Sequence, residues 1–302
     1  LKASDPRLPL YRLEAKNKNT SNICSFFLEK SLRLAKYVAL VFPKFLLNTP
    51  EFSTTRAELA QKSVDAILDF GEKGFPGILV ETIAIFINNL AAPANTKVFS
   101  LTHRLHLTQP QAYIFDPELP YWIIYRNQLF DSVCRKLDFD VFEVFRDRQL
   151  TNKLLSSSGE LRVLKSRNLS DDGKAILDIP GYDSYISYAA AKPLSVFQYL
   201  DAPNVYLTPN MTYKPRMMKK PPHCVVNGSL AILIPKGGIV PTEKQLAYFS
   251  SEEYRAFYQI ARNFQTRSLN VDACSVFFYG LLRDEAKPAP EKFDTSVQLS
   301  FL

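Results

Sequence analysis

The chain is poor in the residues that build covalent and metal frameworks: its 302 residues include 4 cysteines and 3 histidines. Cys24, Cys134, Cys224 and Cys274 lie far apart with no C-x-x-C pair, which argues for reduced thiols in a cytosol over a disulfide framework. His103 and His106 lack a third ligand or a nearby carboxylate, so no metal site is expected. Phosphate-binding and nucleophile motifs are missing as well. There is no GxxxxGK[ST], no GxGxxG, no serine elbow, and no nuclease pair in a strand context. No apolar run approaches the roughly 20 residues a membrane helix needs, and no signal peptide is expected. Internal repeats and low-complexity tracts are also absent.

What the chain does have is apolar residues, at 46%, and a net charge of +7. That length and hydrophobicity suffice for two domains with sizeable cores, and the basic balance favours a polyanionic partner. The organising stretch is residues 22–88, around the loop Gly71-Glu72-Lys73-Gly74-Phe75-Pro76-Gly77. Apolar, β-branched runs at 64–70 and 79–87 flank this loop and read as strands. The phenylalanine at the loop tip has no periodic apolar face to join. It is either a plug folded back onto the core or a flat surface held out for a ligand to stack on. Upstream, Asn22 caps a helix over 23–36 with Phe27, Leu28, Leu32 and Ala35 on its apolar side. A buried strand at 38–42 follows, then a helix at 54–62 with Arg56 and Glu58 on the wet side. This order reads as the second half of a doubly wound α/β sheet ending in a hairpin. Residues before Thr20 are expected to form a mobile loop.

Asn22-Ile23, Phe27-Leu28-Glu29-Lys30-Ser31-Leu32, Val41-Phe42-Pro43, Thr55-Arg56, Asp69-Phe70-Gly71 and Gly74-Phe75-Pro76 carry a resemblance in order and spacing. They resemble the γ-class adenine-N6 DNA methyltransferases of restriction-modification systems, of the TaqI-methylase type. The resemblance covers the post-catalytic half of the methyltransferase domain and, more weakly, a recognition domain. It implies that Phe75 stacks on a flipped-out adenine, whose amino group is out of reach inside the duplex. It also implies that Phe27 borders the adenine ring of S-adenosylmethionine. The family's Gly-rich cofactor turn does not occur in these 302 residues, nor does its Asn/Asp/Ser-Pro-Pro-aromatic tetrad. That tetrad would localise the amine's lone pair for in-line attack on the methyl sulfonium. Lys220-Pro221-Pro222-His223 has paired prolines without the leading acceptor and reads as a loop.

The expected fold is therefore the C-terminal half of a Rossmann-like methyltransferase sheet over residues 1–105, followed by an α+β DNA target-recognition domain over 106–302. A break between about residues 105 and 126 is marked by prolines, and a helix is expected from 127. In the second half, the segment around Leu164-Lys165-Ser166-Arg167-Asn168 resembles the family's DNA-facing opening. Lys165 and Arg167 would touch phosphates there, and Asn168 a phosphate or base edge. Lys214, Arg216, Lys219 and Lys220 lie between strand candidates, in a loop suited to a phosphate backbone. A helix is expected at 243–261. Arg262, Gln265, Arg267 and Asn270 follow as a second donor-rich DNA-contact group, resembling the family's loop before its last strand. The expected activity of the complete protein is methyl transfer from S-adenosylmethionine to adenine N6 at a specific duplex site. The chain alone is expected to be inactive, with the remaining parts in a missing upstream segment or a separate catalytic chain. The alternative is a non-catalytic DNA-specificity module acting with such a chain; a nuclease or RNA-binding protein on the same sheet is the third reading. A bacterial or archaeal cytoplasm is the expected setting, with no membrane partner.

Overall fold

The computed structural model describes residues 1–2, 4–266 and 270–284. It forms two compact units, each mixed α/β. The first comprises Leu1–Asn127 with residues 262–266; the second comprises Gln128–Ala261 with residues 270–284.

The first unit is built on one sheet with strands β1 (Tyr37–Pro43), β2 (Ser63–Gly71), β3 (Thr82–Asn88), β4 (Asn95–Ser100) and β5 (Leu105–Pro110). Their order across the sheet is β1-β3-β2-β4-β5. β3 lies antiparallel between β1 and β2, β2 pairs parallel with β4, and β4 and β5 form a hairpin. The helices are α1 (Leu8–Glu14), α2 (Ile23–Leu34), α3 (Ser53–Ala60) and α4 (Gln111–Ile114).

Three local expectations change. The first residues are not a plain loop, because Pro9 sits in the first turn of α1, where its fixed φ favours a helix. Leu8 then packs with Ala15 and Phe26. In α2, Asn22 caps as expected by accepting from the Cys24 amide. However, it is Phe26 that is buried, and Phe27 stays 61% exposed. Arg56 is buried rather than wet: its guanidinium donates to the Leu46 and Thr49 carbonyls, which close the turns ahead of α3. The first unit also runs on past residue 105. The Gln111 side chain accepts from the Val64 amide and donates to the Ala60 and Lys62 carbonyls, so α4 is tied to the start of β2.

The second unit contains α5 (Gln128–Lys136), β6 (Leu137–Asp138), β7 (Phe142–Phe145), β8 (Leu161–Leu164), β9 (Ser184–Ile186) and α6 (Tyr188–Ala191). It continues with β10 (Tyr206–Pro209), β11 (Met218–Lys219), β12 (Cys224–Val226), β13 (Leu230–Pro235), α7 (Glu243–Tyr248), α8 (Glu252–Ala261) and β14 (Leu281–Leu282). The sheets run β11-β10-β13-β7, β12-β8-β9 and β14-β6. Asn227-Gly228 makes the turn between β12 and β13, with the Leu230 amide donating to the Asn227 carbonyl. The single helix expected at 243–261 is two. Thr242 and Gln245 form a capping box on α7, and the Ser251 hydroxyl accepts from the Tyr254 amide to start α8.

Candidate functional site

The loop joining β2 and β3 is tight at its base and open at its tip. Gly71 has φ +54, and a Cβ there would sit 2.4 Å from the Thr102 hydroxyl; at Gly74 it would sit 2.2 Å from that of Thr82. Both positions therefore demand glycine. Phe75 emerges at the tip, 45% exposed, followed by Ile78, Leu79 and Val80, which are also exposed. At that exposure the Phe75 ring is not a plug in the core.

Beneath the loop lies a buried ionic group. Lys44 Nζ is 2.7 Å from Asp69 Oδ2 and 3.9 Å from Glu81 Oε1, and all three side chains are at most 5% exposed. Asp69 Oδ2 also accepts from the Tyr125 hydroxyl at 2.5 Å, while its Oδ1 accepts from the Gly71 amide at 2.9 Å. Burial first, and then the Asp69 carboxylate, pushes the Tyr125 phenol well above its ordinary range, so it remains a donor. The returning residues 262–266 close this corner. The Thr266 amide donates to Glu81 and its hydroxyl donates to Glu72 in the loop, at 3.0 and 2.7 Å. Gln265 and Asn48 exchange amide hydrogen bonds, and Asn263 bonds the Ile124 amide and Trp122 carbonyl. A cavity of about 280 Å³ remains, lined by Lys44, Glu72, Lys73, His103, Phe264 and neighbours. Burial, with the Lys44 ammonium next, pushes the His103 imidazole below its ordinary value and keeps it neutral at pH 7.

This group was not marked in the sequence reading. One signal was available: Asp69 shares the period-two face of Ile67 in β2, whereas Asp65, at a bulge, does not, and a carboxylate on the buried face needs a buried partner. Lys44, just past the end of β1, is that partner.

Phe27 lines a separate groove of about 560 Å³ between α1 and α2, with Tyr11, Ile23 and Leu34.

The expected DNA-contact residues fall into two sets. Arg167, Lys214, Lys219 and Asn270 are exposed, and Lys165 is half-buried. Lys214 pairs weakly with Asp171 at 3.4 Å, and Asn270 accepts from Asn210. The cations of Lys165 and Arg167 both lie on the Tyr182 ring, at 3.9 and 4.6 Å from its centre. Asn168, Arg216, Lys220, Arg262 and Gln265 are buried and occupied within the protein. Asn168 bonds the Lys165 amide, the Leu177 carbonyl and Asp183. Arg216 donates to the Lys214, Ser166 and Leu169 carbonyls, Lys220 to those of Leu200 and Pro221, and Arg262 to the Tyr121 hydroxyl. Direct phosphate contact does not suit these five as they stand: they are buried, and their polar atoms bond groups of the protein itself. Arg267 lies outside the described residues. Among the described residues no cluster of histidine, cysteine or carboxylate could hold a metal, and no helix is long and apolar enough to cross a membrane.

No protein-family model matches the chain, and no curated protein sequence does. Solved structures do. The type IIL restriction-modification enzyme MmeI, in complex with DNA, aligns over 89% of this chain and 43% of its own, with TM-score 0.50 and 11% identity. The type IIG restriction endonuclease BpuSI aligns over 92% and 45% (TM-score 0.37, 10% identity). The ATP-dependent type ISP restriction-modification enzyme LlaBIII, bound to DNA, aligns over 90% and 27% (TM-score 0.39, 10% identity). The class defined is thus a mixed α/β fold like that of part of a restriction-modification enzyme. At 11% identity the MmeI match shows the fold alone, and the chain spans less than half of that enzyme's length.

Proposed function

We propose that this chain is the C-terminal part of a site-specific DNA adenine-N6 methyltransferase of a restriction-modification system. The first unit would complete a Rossmann-like methyltransferase sheet, and the second would recognise duplex DNA. The observation that carries this reading is the outward Phe75 on a loop whose base is fixed by Asp69, Gly71 and the Glu72–Thr266 bond. A rigid base with an exposed aromatic tip suits a surface that receives an unstacked base. S-adenosylmethionine supplies the electrophilic methyl group when bound. For that cofactor this chain offers the exposed ring of Phe27 but no Gly-rich turn, so it fits only one edge of the site. The rest belongs to further polypeptide, either upstream in the same protein or in a separate catalytic chain. Arg167, Lys214 and Lys219 would meet phosphates.

The test is Phe75→Ala in the complete enzyme, with 2-aminopurine at the target adenine. We expect weaker flipping fluorescence and methylation roughly 10- to 100-fold slower, since lost base–aromatic stacking is worth about 1–3 kcal/mol. Cofactor affinity should be nearly unchanged. Unaltered turnover would remove Phe75 from the site. Specific duplex binding without methyl transfer in any assembly would leave a DNA-specificity module.

A further inference from the structure

In the second unit, three loops meet on the turn Asn227-Gly228-Ser229. Phe145, ending β7, lies across from Ile232, and Pro209, ending β10, lies across from Leu230, both near the start of β13. The loop after β7 passes close over the turn, since a Cβ on Gly228 would sit 2.7 Å from the Asp147 carbonyl oxygen. The loop after β8 joins through the Ser166 amide, which donates to the Ser229 hydroxyl at 2.9 Å. Asn210, just past β10, donates from its amide to the Ser229 carbonyl and from its side chain to that of Gly228. These loops carry Arg146, Arg148, Lys165, Arg167 and Lys214, each exposed or half-buried.

Arg146 and Arg148 differ from the rest. Among the described residues neither has a hydrogen-bond or ion-pair partner. Asp147 between them is buried, and its carboxylate accepts from the Gln149 and Leu150 amides at 3.3 and 2.8 Å. The Asp272 carboxylate acts on Arg146 through space, but it accepts from the Cys274 and Ser275 amides at 3.1 and 2.8 Å. Arg148 is exposed and Arg146 half-buried. Burial, and then the Arg148 charge, push the Arg146 guanidinium below its ordinary value, with Asp272 opposing them. A guanidinium that has given up part of its hydration beside a like charge gains most from an acceptor that fits its planar fork.

We propose that Arg146 reads a guanine in the major groove of the duplex, donating to its O6 and N7, while Arg148 holds a neighbouring phosphate. The inference rests on the reading above that the second unit binds duplex DNA, and it names one contact that gives the unit its sequence preference. The division follows from how the two side chains are held. A phosphate lies on the outside of the duplex and asks only for charge, which the exposed Arg148 supplies. A base edge lies inside a groove and asks for two donors in a fixed place. Arg146 follows directly on Phe145, the last residue of a strand paired to β13, and its partial burial limits where its fork can go. An arginine has donors only. Guanine sets two acceptors side by side in the major groove, whereas adenine and cytosine each present an amino donor there and thymine a methyl group.

The experiment selects duplexes with a randomised core by their binding to the complete enzyme, without S-adenosylmethionine, and sequences those retained. No methyl group is transferred, so the outcome is independent of the chemistry proposed above. The parent protein should prefer guanine at one or more positions. Arg146→Ala should lose that preference at one position, by roughly 5- to 150-fold, and keep the others. Arg148→Ala should keep every preference, weaken binding to all duplexes alike and lower the salt slope by about 1. Urea midpoints of both variants should match the parent, because neither side chain gives up a partner within the described residues. A full set of guanine preferences in Arg146→Ala would overturn the proposal. So would uniform weakening, which would make Arg146 a phosphate contact, or a lowered midpoint, which would assign its guanidinium to the fold. A parent protein that retains no duplex would defeat the DNA-binding reading itself, and this proposal with it.

Discussion

Asp69 is the residue on which the loop's geometry turns. One of its oxygens accepts from both Lys44 and Tyr125, and the other accepts from the Gly71 amide, so its hydrogen-bonding capacity is used at the point where β2 ends. Lys44→Met would leave a buried carboxylate without its cation, and breaking such a pair costs about 3–5 kcal/mol. Urea unfolding followed by tyrosine fluorescence would measure this; a loss under about 1 kcal/mol would mean that water reaches the pair. Tyr125→Phe removes one hydrogen bond to a charged acceptor, worth about 1.5–3 kcal/mol. In the second unit, donation from Lys136, opposed by burial and aided by the Tyr248 hydroxyl, holds the Glu253 carboxyl below its ordinary value. With the folded value below the unfolded one, the unfolded state binds more protons between the two. The stabilisation is therefore complete above the ordinary carboxylate range and disappears as pH falls through the folded value. Unfolding midpoints measured from pH 6 to pH 3 should fall less steeply in Glu253→Gln than in the parent protein.

At the level of elements, the hairpin loop is held from two sides: by its own glycines, and by residues 262–266, which arrive from the far end of the sequence. Thr266→Val would cut the hydroxyl's hydrogen bond to Glu72 and leave the strands intact. The global stability loss should stay near 1 kcal/mol. Amides of residues 72–80 should exchange faster, and a protease should nick the loop first. Unchanged loop exchange would show that the glycines suffice. The same elements show what the sequence made legible. Strands β1 to β3, the cap at Asn22 and the tight, exposed loop follow from β-branched apolar runs, capping chemistry and turn residues, all of which are local; the full burial expected of β1 does not, since Tyr37 and Val41 are exposed. Residues 262–266 read only as a donor-rich stretch, because nothing local says that their partners Asn48, Glu72 and Glu81 lie some 180 to 220 positions away. Charge was the least reliable guide. A cationic loop looks the same whether its side chains face water or close carbonyls. Arg216 and Lys220 do the latter, while their neighbours Lys214 and Lys219 stay exposed.

For the molecule as a whole, that division separates two kinds of basic residue that contribute equally to the net charge of +7. Exposed cations that meet phosphates release counterions on binding, so the logarithm of the association constant falls with the logarithm of salt by about 0.9 per contact. Buried cations contribute to the fold and only indirectly to that slope. Lys214→Ala and Lys219→Ala should each lower the salt slope of duplex binding by about 1 and weaken binding to all sequences alike, with unchanged unfolding midpoints. Arg216→Ala should do the reverse. Three backbone carbonyls lose a charged donor, stability falls by at least about 2 kcal/mol, and the slope of the remaining folded protein is retained. Fluorescence anisotropy with one labelled duplex between 50 and 200 mM salt, beside urea unfolding of each variant, measures both quantities. If Arg216→Ala reduced the slope by a full unit at intact stability, its guanidinium would have to leave the Ser166 and Leu169 carbonyls when DNA binds. The second unit would then be a loop that rearranges on the duplex, not a preformed surface.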